Sequence, residues 1–290
     1  MDIKRAAIVA AGMLLLAGCR TAPPKASKQV RIVTTIGVLA DWARQVGGDR
    51  VEVTSLLSGN ESPHTYEIKP VDVKTVADAR ILFRVGLGLE EWLDPAIENS
   101  GNKRLVVVDA ATGVTGIVAG DAEDKYGNPH VWLDPEYVKV GIENLVRDLV
   151  KLDPKGESLY RAREAAYYVQ LDSLSAAIVA GFSSLSDKRL ITYHDAWPYF
   201  ARRFGLDIVA TIEPIPGQEP SAKQLARMVD LIRHEHIRVV TTEPQLPSAL
   251  PDMLARETGV KVVSLNPLES EGGYIAALGK SAAAIADALK

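Results

Sequence analysis

The sequence predicts an α/β protein of two lobes, each with a mainly parallel sheet flanked by helices, joined by one long backbone helix. Three observations predict it. Short runs of Val, Ile and Leu alternate with helical patterns, as expected of parallel strands covered on both faces. The alternation occurs twice. Between the halves, no proline interrupts the chain from Pro154 to Pro198.

The first element is a leader over residues 1–18. Lys4 and Arg5 precede the apolar run Ala6 to Ala17, and a basic head, short apolar core and small-residue end make a secretory signal. The run falls short of the ~20 apolar residues of a spanning helix. Leu16-Ala17-Gly18-Cys19 resembles the bacterial lipobox, which implies cleavage before Cys19 and diacylglycerol on its sulfur. Cys19 is the only cysteine, so no disulfide framework competes for it. Residues 19–29, with Pro23 and Pro24 among small and basic residues, form a tether.

Residues 30–152 make the first lobe. Its strands are expected at Arg31–Ile36, Val51–Leu57, Arg80–Val85 and Leu105–Asp109, with helices at Val38–Val46 and Val71–Ala79. Asp134-Pro135 starts a further helix by an N-cap followed by proline, with Ile142, Leu145, Val146 and Leu149 on one stripe. Residues 153–187 connect the lobes. Leu159, Ala166, Leu171, Leu174, Ile178 and Leu185 recur at helical spacing, and about 30 residues would span about 45 Å. Such a rod predicts small closure movements. Residues 188–290 repeat the plan, with strands at Arg189–Tyr193, Asp207–Thr211, Ile237–Thr242 and Val260–Leu265. Helices are expected at Pro198–Phe204, Ser221–Arg233 and Ser248–Thr258.

The chain has 290 residues and a formal charge of −4, which argues against nucleic acid as a partner. Nothing in the sequence requires more than a monomer.

The chemistry rests on histidines, of which there are five. His64 follows the strand beginning at Val51, His194 follows Arg189–Tyr193, and His130 heads the helix begun by Asp134-Pro135. Ligands of open α/β sheets bind beyond the carboxyl ends of strands, so the three share one rim, two from the first lobe and one from the second. Imidazole suits zinc, and three imidazoles leave a fourth position open. By placement alone, three ordinary loop histidines are an equal reading. His234 and His236 follow a helix, where capping by positive charge accounts for them.

The surroundings of these residues resemble the zinc- and manganese-type solute-binding proteins of ABC importers, the cluster A-I family. Val33-Thr34-Thr35-Ile36 resembles its opening strand. Ser62-Pro63-His64-Thr65-Tyr66-Glu67 with Lys69-Pro70 resembles its first ligand motif. Gly86-Leu87-Gly88-Leu89-Glu90 resembles its Gly-x-Gly-x-Glu segment; a dinucleotide loop is discounted there because the third glycine is missing. Asn128-Pro129-His130-Val131-Trp132-Leu133-Asp134-Pro135 and Tyr193-His194-Asp195-Ala196 resemble the second and third ligand motifs. Glu219-Pro220-Ser221 and Thr242-Glu243-Pro244-Gln245 match later blocks.

The resemblance implies a metal ion held between the lobes by His64, His130 and His194, zinc first and manganese as the alternative. It also implies a lipid-anchored extracytoplasmic protein that serves a cognate ABC permease and performs no catalysis. The hydrolase alternative lacks His-Glu-x-x-His and Gly-x-Ser-x-Gly signatures. One departure stands out. Where the family places an acidic ligand at the last strand end, this chain has Asn266. The fourth donor is then Asn266, a water, or a neighbouring acid such as Glu213, Glu269 or Glu271. The histidine-rich loop of many zinc members is absent, since Gly113 to Gly127 contains no histidine.

Overall fold

The computed structural model describes residues 29–57, 59, 61–120, 126–214, 217–269 and 271–290. The leader, Cys19 and most of the tether lie outside the described residues. Among those described, no helix is long and apolar enough to cross a membrane.

The first half runs β1 (Val30–Thr34), α1 (Gly37–Gly47), β2 (Val51–Ser55), α2 (Pro70–Asp78), β3 (Ile81–Arg84), α3 (Asp94–Asn99), β4 (Val106–Asp109) and α4 (Pro135–Leu152). Its four strands are all parallel, in the order β2-β1-β3-β4. The interior strand β3 is buried at Ile81, Leu82 and Phe83, which is why it reads as an unbroken apolar run rather than an alternating one. Helix α4 starts where expected. Asp134 is its N-cap and accepts from Glu136 N, with Pro135 in the first turn, so two of the orphan ends of a helix are settled locally.

A long helix, α5 (Glu157–Phe182), follows a single 3₁₀ turn over Pro154–Gly156. Its 26 residues span about 39 Å. Its buried stripe is Tyr160, Glu164, Tyr167, Leu171, Leu174, Ile178 and Phe182. Ala166, expected on that stripe, is exposed, and Leu159 is only half-buried. Ala166 is five residues from Leu171 and so points about 140° away from it on the helix, whereas Tyr160, Glu164 and Tyr167 keep the three- and four-residue spacing that shares its face. The buried Glu164 is paired with Arg161 at 2.8 Å.

The second half runs β5 (Arg189–His194), α6 (Pro198–Phe204), β6 (Asp207–Glu213), α7 (Ala222–Glu235), β7 (Val239–Thr242), α8 (Ala249–Thr258), β8 (Lys261–Ser264) and α9 (Tyr274–Leu289). The order β6-β5-β7-β8 repeats that of the first sheet, again all parallel. In each sheet the strand order reverses beside the first strand, so the two switch points lie between β1 and β3 and between β5 and β7.

Helices α3 and α9 are absent from the sequence expectation. Helix α9 buries Tyr274, Leu278, Ile285 and Leu289 and packs back on α5 and α1. The apolar core is therefore continuous through both halves, running from Ile32 and Trp42 to Trp197, Leu265 and Tyr274. Tyr274 stands edge-on to Trp42, ring centres 5.7 Å apart, and its backbone N–H donates to Asp41 at 3.0 Å.

Candidate metal centre

Each candidate histidine is delivered by a different local device. His64 lies in the loop between β2 and α2. Trp92 Nε1 donates to the carbonyl of Pro63 at 2.8 Å. Tyr66 is buried and donates to Asp72, which also takes the backbone N–H of Lys69 at the head of α2. The spacing from Ser62 to Pro70 thus encodes a loop clamped at both ends. His130 precedes a 3₁₀ turn, Val131–Leu133, that leads into α4. His194 is the last residue of β5, at the switch point of the second sheet.

The structure brings these three together. One nitrogen from each lies within 4.8 Å of the others, and among the described residues no carboxylate joins the group. His130 Nε2 is 3.1 Å from His64 Nε2 and 3.2 Å from His194 Nε2. A tetrahedral zinc with Zn–N of about 2.0–2.1 Å puts its nitrogens about 3.3 Å apart, so the donors stand close to the spacing they would hold on the ion.

Their protonation is set from behind. Asn128 donates its amide to the carbonyl and carboxylate of Asp195, at 2.6 and 3.0 Å, so its oxygen faces His130. It accepts there from the His130 backbone N–H and from Nδ1, both at 3.0 Å. His194 Nδ1 donates to Glu243 at 2.8 Å. Both rings therefore use Nδ1 as a donor to their own partner, which leaves Nε2 of each as the atom that faces the other and can take a cation in the neutral form. Burial pushes His64 down to about 3, with His194 adding to the effect. Burial also holds His130 well below the usual imidazole range, helped by His194 and then His64. Both stay neutral, the form that binds metal.

The cavity among them measures about 20 Å³ and is lined by the three histidines, Ser62, Trp132, Glu243, Gln245 and Pro267, among others. That is room for one ion or one water-sized group. The floor joins both halves. Trp132 Nε1 donates to Pro267 O at 2.8 Å, Tyr274 donates to Trp132 O at 2.7 Å, and Arg203 pairs with the buried Asp134 at 2.8 Å.

The other candidates stand elsewhere. Asn266 does not line the cavity; its oxygen accepts from Gln245 Nε2 at 2.8 Å and Leu268 N at 3.0 Å. Glu213 accepts from Tyr193, and Glu269 accepts from the backbone N–H of Glu271. His236 is the left-handed C-cap of α7, with φ +54°. Gly86, Leu87 and Gly88 all have positive φ, a tight turn that glycine tolerates and Leu87 does not favour. Glu90 holds it, accepting from Val85 N, Gly86 N and the Thr35 hydroxyl at 2.8–3.0 Å. Burial pushes the Glu90 carboxyl up to about 7 against these bonds.

Sequence reasoning gave no role to Asn128, Glu243, Gln245 or Tyr274. The signal was present for the first three: each is a polar residue in a quoted motif, near a strand end or a ligand. Tyr274 had none, because its partners are distant in sequence.

A two-lobed α/β fold with three histidines converging in the cleft defines a metal-site solute-binding protein. The profile of the family described as "ZnuA: Zinc-uptake complex component A periplasmic" matches residues 32–288, and the chain belongs to that family. It is 28% identical over 278 residues to the high-affinity zinc uptake system protein ZnuA of Bacillus subtilis, covering 90% of this chain and 87% of that protein. It is 29% identical over 254 residues to the manganese-binding lipoprotein MntA of Halalkalibacterium halodurans, covering 86% and 83%. A crystal structure of a ZnuA superposes with a TM-score of 0.84 at 30% identity, covering 91% of this chain and 100% of that one.

Proposed function

We propose that this chain captures one transition-metal ion outside the cytoplasmic membrane and hands it to an ABC-type importer, with His64, His130 and His194 as ligands. The observation that carries the reading is the approach of the Nε2 atoms of His130 and His194 to 3.2 Å, each ring held through Nδ1 by its own hydrogen-bond partner. Zinc is the first choice of metal, because an imidazole-rich site suits it better than manganese; manganese, named for one relative, is the alternative. A cavity of about 20 Å³ among the histidines is of the size an ion takes.

The same proposal includes a leader over residues 1–18, a lipid on Cys19, a tether to residue 29, lobes over 30–152 and 188–290, and a connector over 153–187. A monomer held to the membrane by that lipid is the expected form. Elemental analysis of protein purified without chelators, with X-ray absorption to count nitrogen neighbours, tests the site. One zinc per chain with three imidazoles is the expected result; protein lacking metal after zinc exposure overturns it.

A further inference from the structure

One buried oxygen of a cavity-lining residue accepts no hydrogen among the described residues. Gln245 follows β7 and lines the cavity with the three histidines. Its Nε2 donates to the carbonyl of Gly59 at 2.7 Å and to Asn266 Oδ1 at 2.8 Å. The orientation of the amide is dictated by its neighbours. Asn266 Oδ1 also accepts from the backbone N–H of Leu268 at 3.0 Å, so the Asn266 atom facing Gln245 is an oxygen. Gly59 offers a second oxygen. Only an NH₂ can serve two acceptors, so the remaining atom of the amide is the carbonyl oxygen. That oxygen is buried and accepts no hydrogen bond among the described residues. A buried amide oxygen without a partner is disfavoured, and here it belongs to a residue on the wall of a site that has three nitrogen donors and a fourth position open.

We infer that Gln245 Oε1 is the oxygen donor that joins His64, His130 and His194 around the bound ion. The inference rests on the histidine site proposed above. It gives Asn266 a different task from coordination. Both lone-pair directions of its oxygen are taken, by Leu268 N and Gln245 Nε2, so it acts as the residue that aims Gln245. The acid of the resembling family is thus replaced by a relay, in which an uncharged amide orients a second uncharged amide. The donor set is three neutral nitrogens and one neutral oxygen. The compensating negative charge is supplied from behind by Glu243 on His194.

The test uses the full chain, wild type and as Gln245→Leu, Gln245→Glu and His130→Ala. Zinc affinity is measured by competition with a chromophoric chelator, and the visible absorption of the cobalt(II)-loaded protein reports which atoms surround the ion. Gln245→Leu is expected to weaken zinc binding at least about tenfold and to shift the cobalt bands. Gln245→Glu, with a carboxylate of the same length, is expected to tighten it and to shift them as well. An unchanged cobalt spectrum in both Gln245 variants overturns the inference even if affinity changes, since an orienting residue would give that result. Unchanged affinity in both overturns it too. If Gln245→Leu fails to fold, Gln245→Glu decides alone. His130→Ala separates the two levels. Lost binding there with indifferent Gln245 variants removes Gln245 and leaves the histidine site standing, whereas retained binding in His130→Ala removes the site itself.

Discussion

His130 and His194 come from opposite halves of the chain, yet their Nε2 atoms stand 3.2 Å apart. Each ring is turned by a partner from its own half, Asn128 for the first and Glu243 for the second. The two halves thus present nitrogen to nitrogen, an arrangement that suits a positive charge placed between them once both rings are neutral.

Zinc is therefore expected to stabilise the fold. At a free concentration about a hundredfold above Kd, binding to the native state adds about 2.7 kcal/mol, which raises the melting midpoint by roughly 5 °C for a chain of this size. Differential scanning calorimetry with and without zinc measures it, and His130→Ala is expected to remove the shift.

Glu243→Ala removes the acceptor of His194 Nδ1–H and the buried charge behind it. Zinc affinity is expected to fall about 10- to 100-fold while the far-ultraviolet circular dichroism is unchanged. A chelator competition titration reads the loss.

Stability of the metal-free protein is expected to depend on acid. An unfolded imidazole takes a proton near 6.5, whereas folded His64 does so near 3 and His130 well below the usual range. Between those values the unfolded state holds more protons, so stability rises with pH and is lost as pH falls from about 6.5 toward 3. Melting midpoints recorded at about pH 7.5 and about pH 5 should show the drop, and His64→Ala should make it shallower.

Tyr274→Phe deletes the hydroxyl that satisfies the buried carbonyl of Trp132. A cost of about 1–3 kcal/mol is expected, visible as a lower urea midpoint at unchanged slope.

The radius of gyration is expected to change little between metal-free and zinc-loaded protein. A core shared by both halves and the ties Trp132–Pro267 and Arg203–Asp134 leave little room for closure. Small-angle scattering that reveals a large compaction would count against this.

Much of the architecture was legible because its signals are local. The strands announce themselves as apolar runs, and Asp134-Pro135 marks the start of α4 to the residue. The three histidines were legible for the same reason, since each sits in a short motif at a strand end or helix head. What was not legible depends on partners far apart in sequence. Ala166 is a different case: it lies five residues before Leu171, off the three- and four-residue spacing that Tyr160, Glu164 and Tyr167 keep with that residue. Helix α9 buries largely small residues, Ala277, Ala282 and Ala286 among them, which leave a faint stripe. The role of Gln245 needs Gly59 and Asn266 together, which no window of sequence contains.

A cavity of about 20 Å³ also sets an entrance toll. An ion held by three imidazoles would exchange part of its water shell for their nitrogens. Magnesium dehydrates reluctantly, while zinc exchanges its water for imidazole readily enough to reward the loss. A site of this lining would therefore sort ions by how readily each gives up water as well as by its taste for nitrogen.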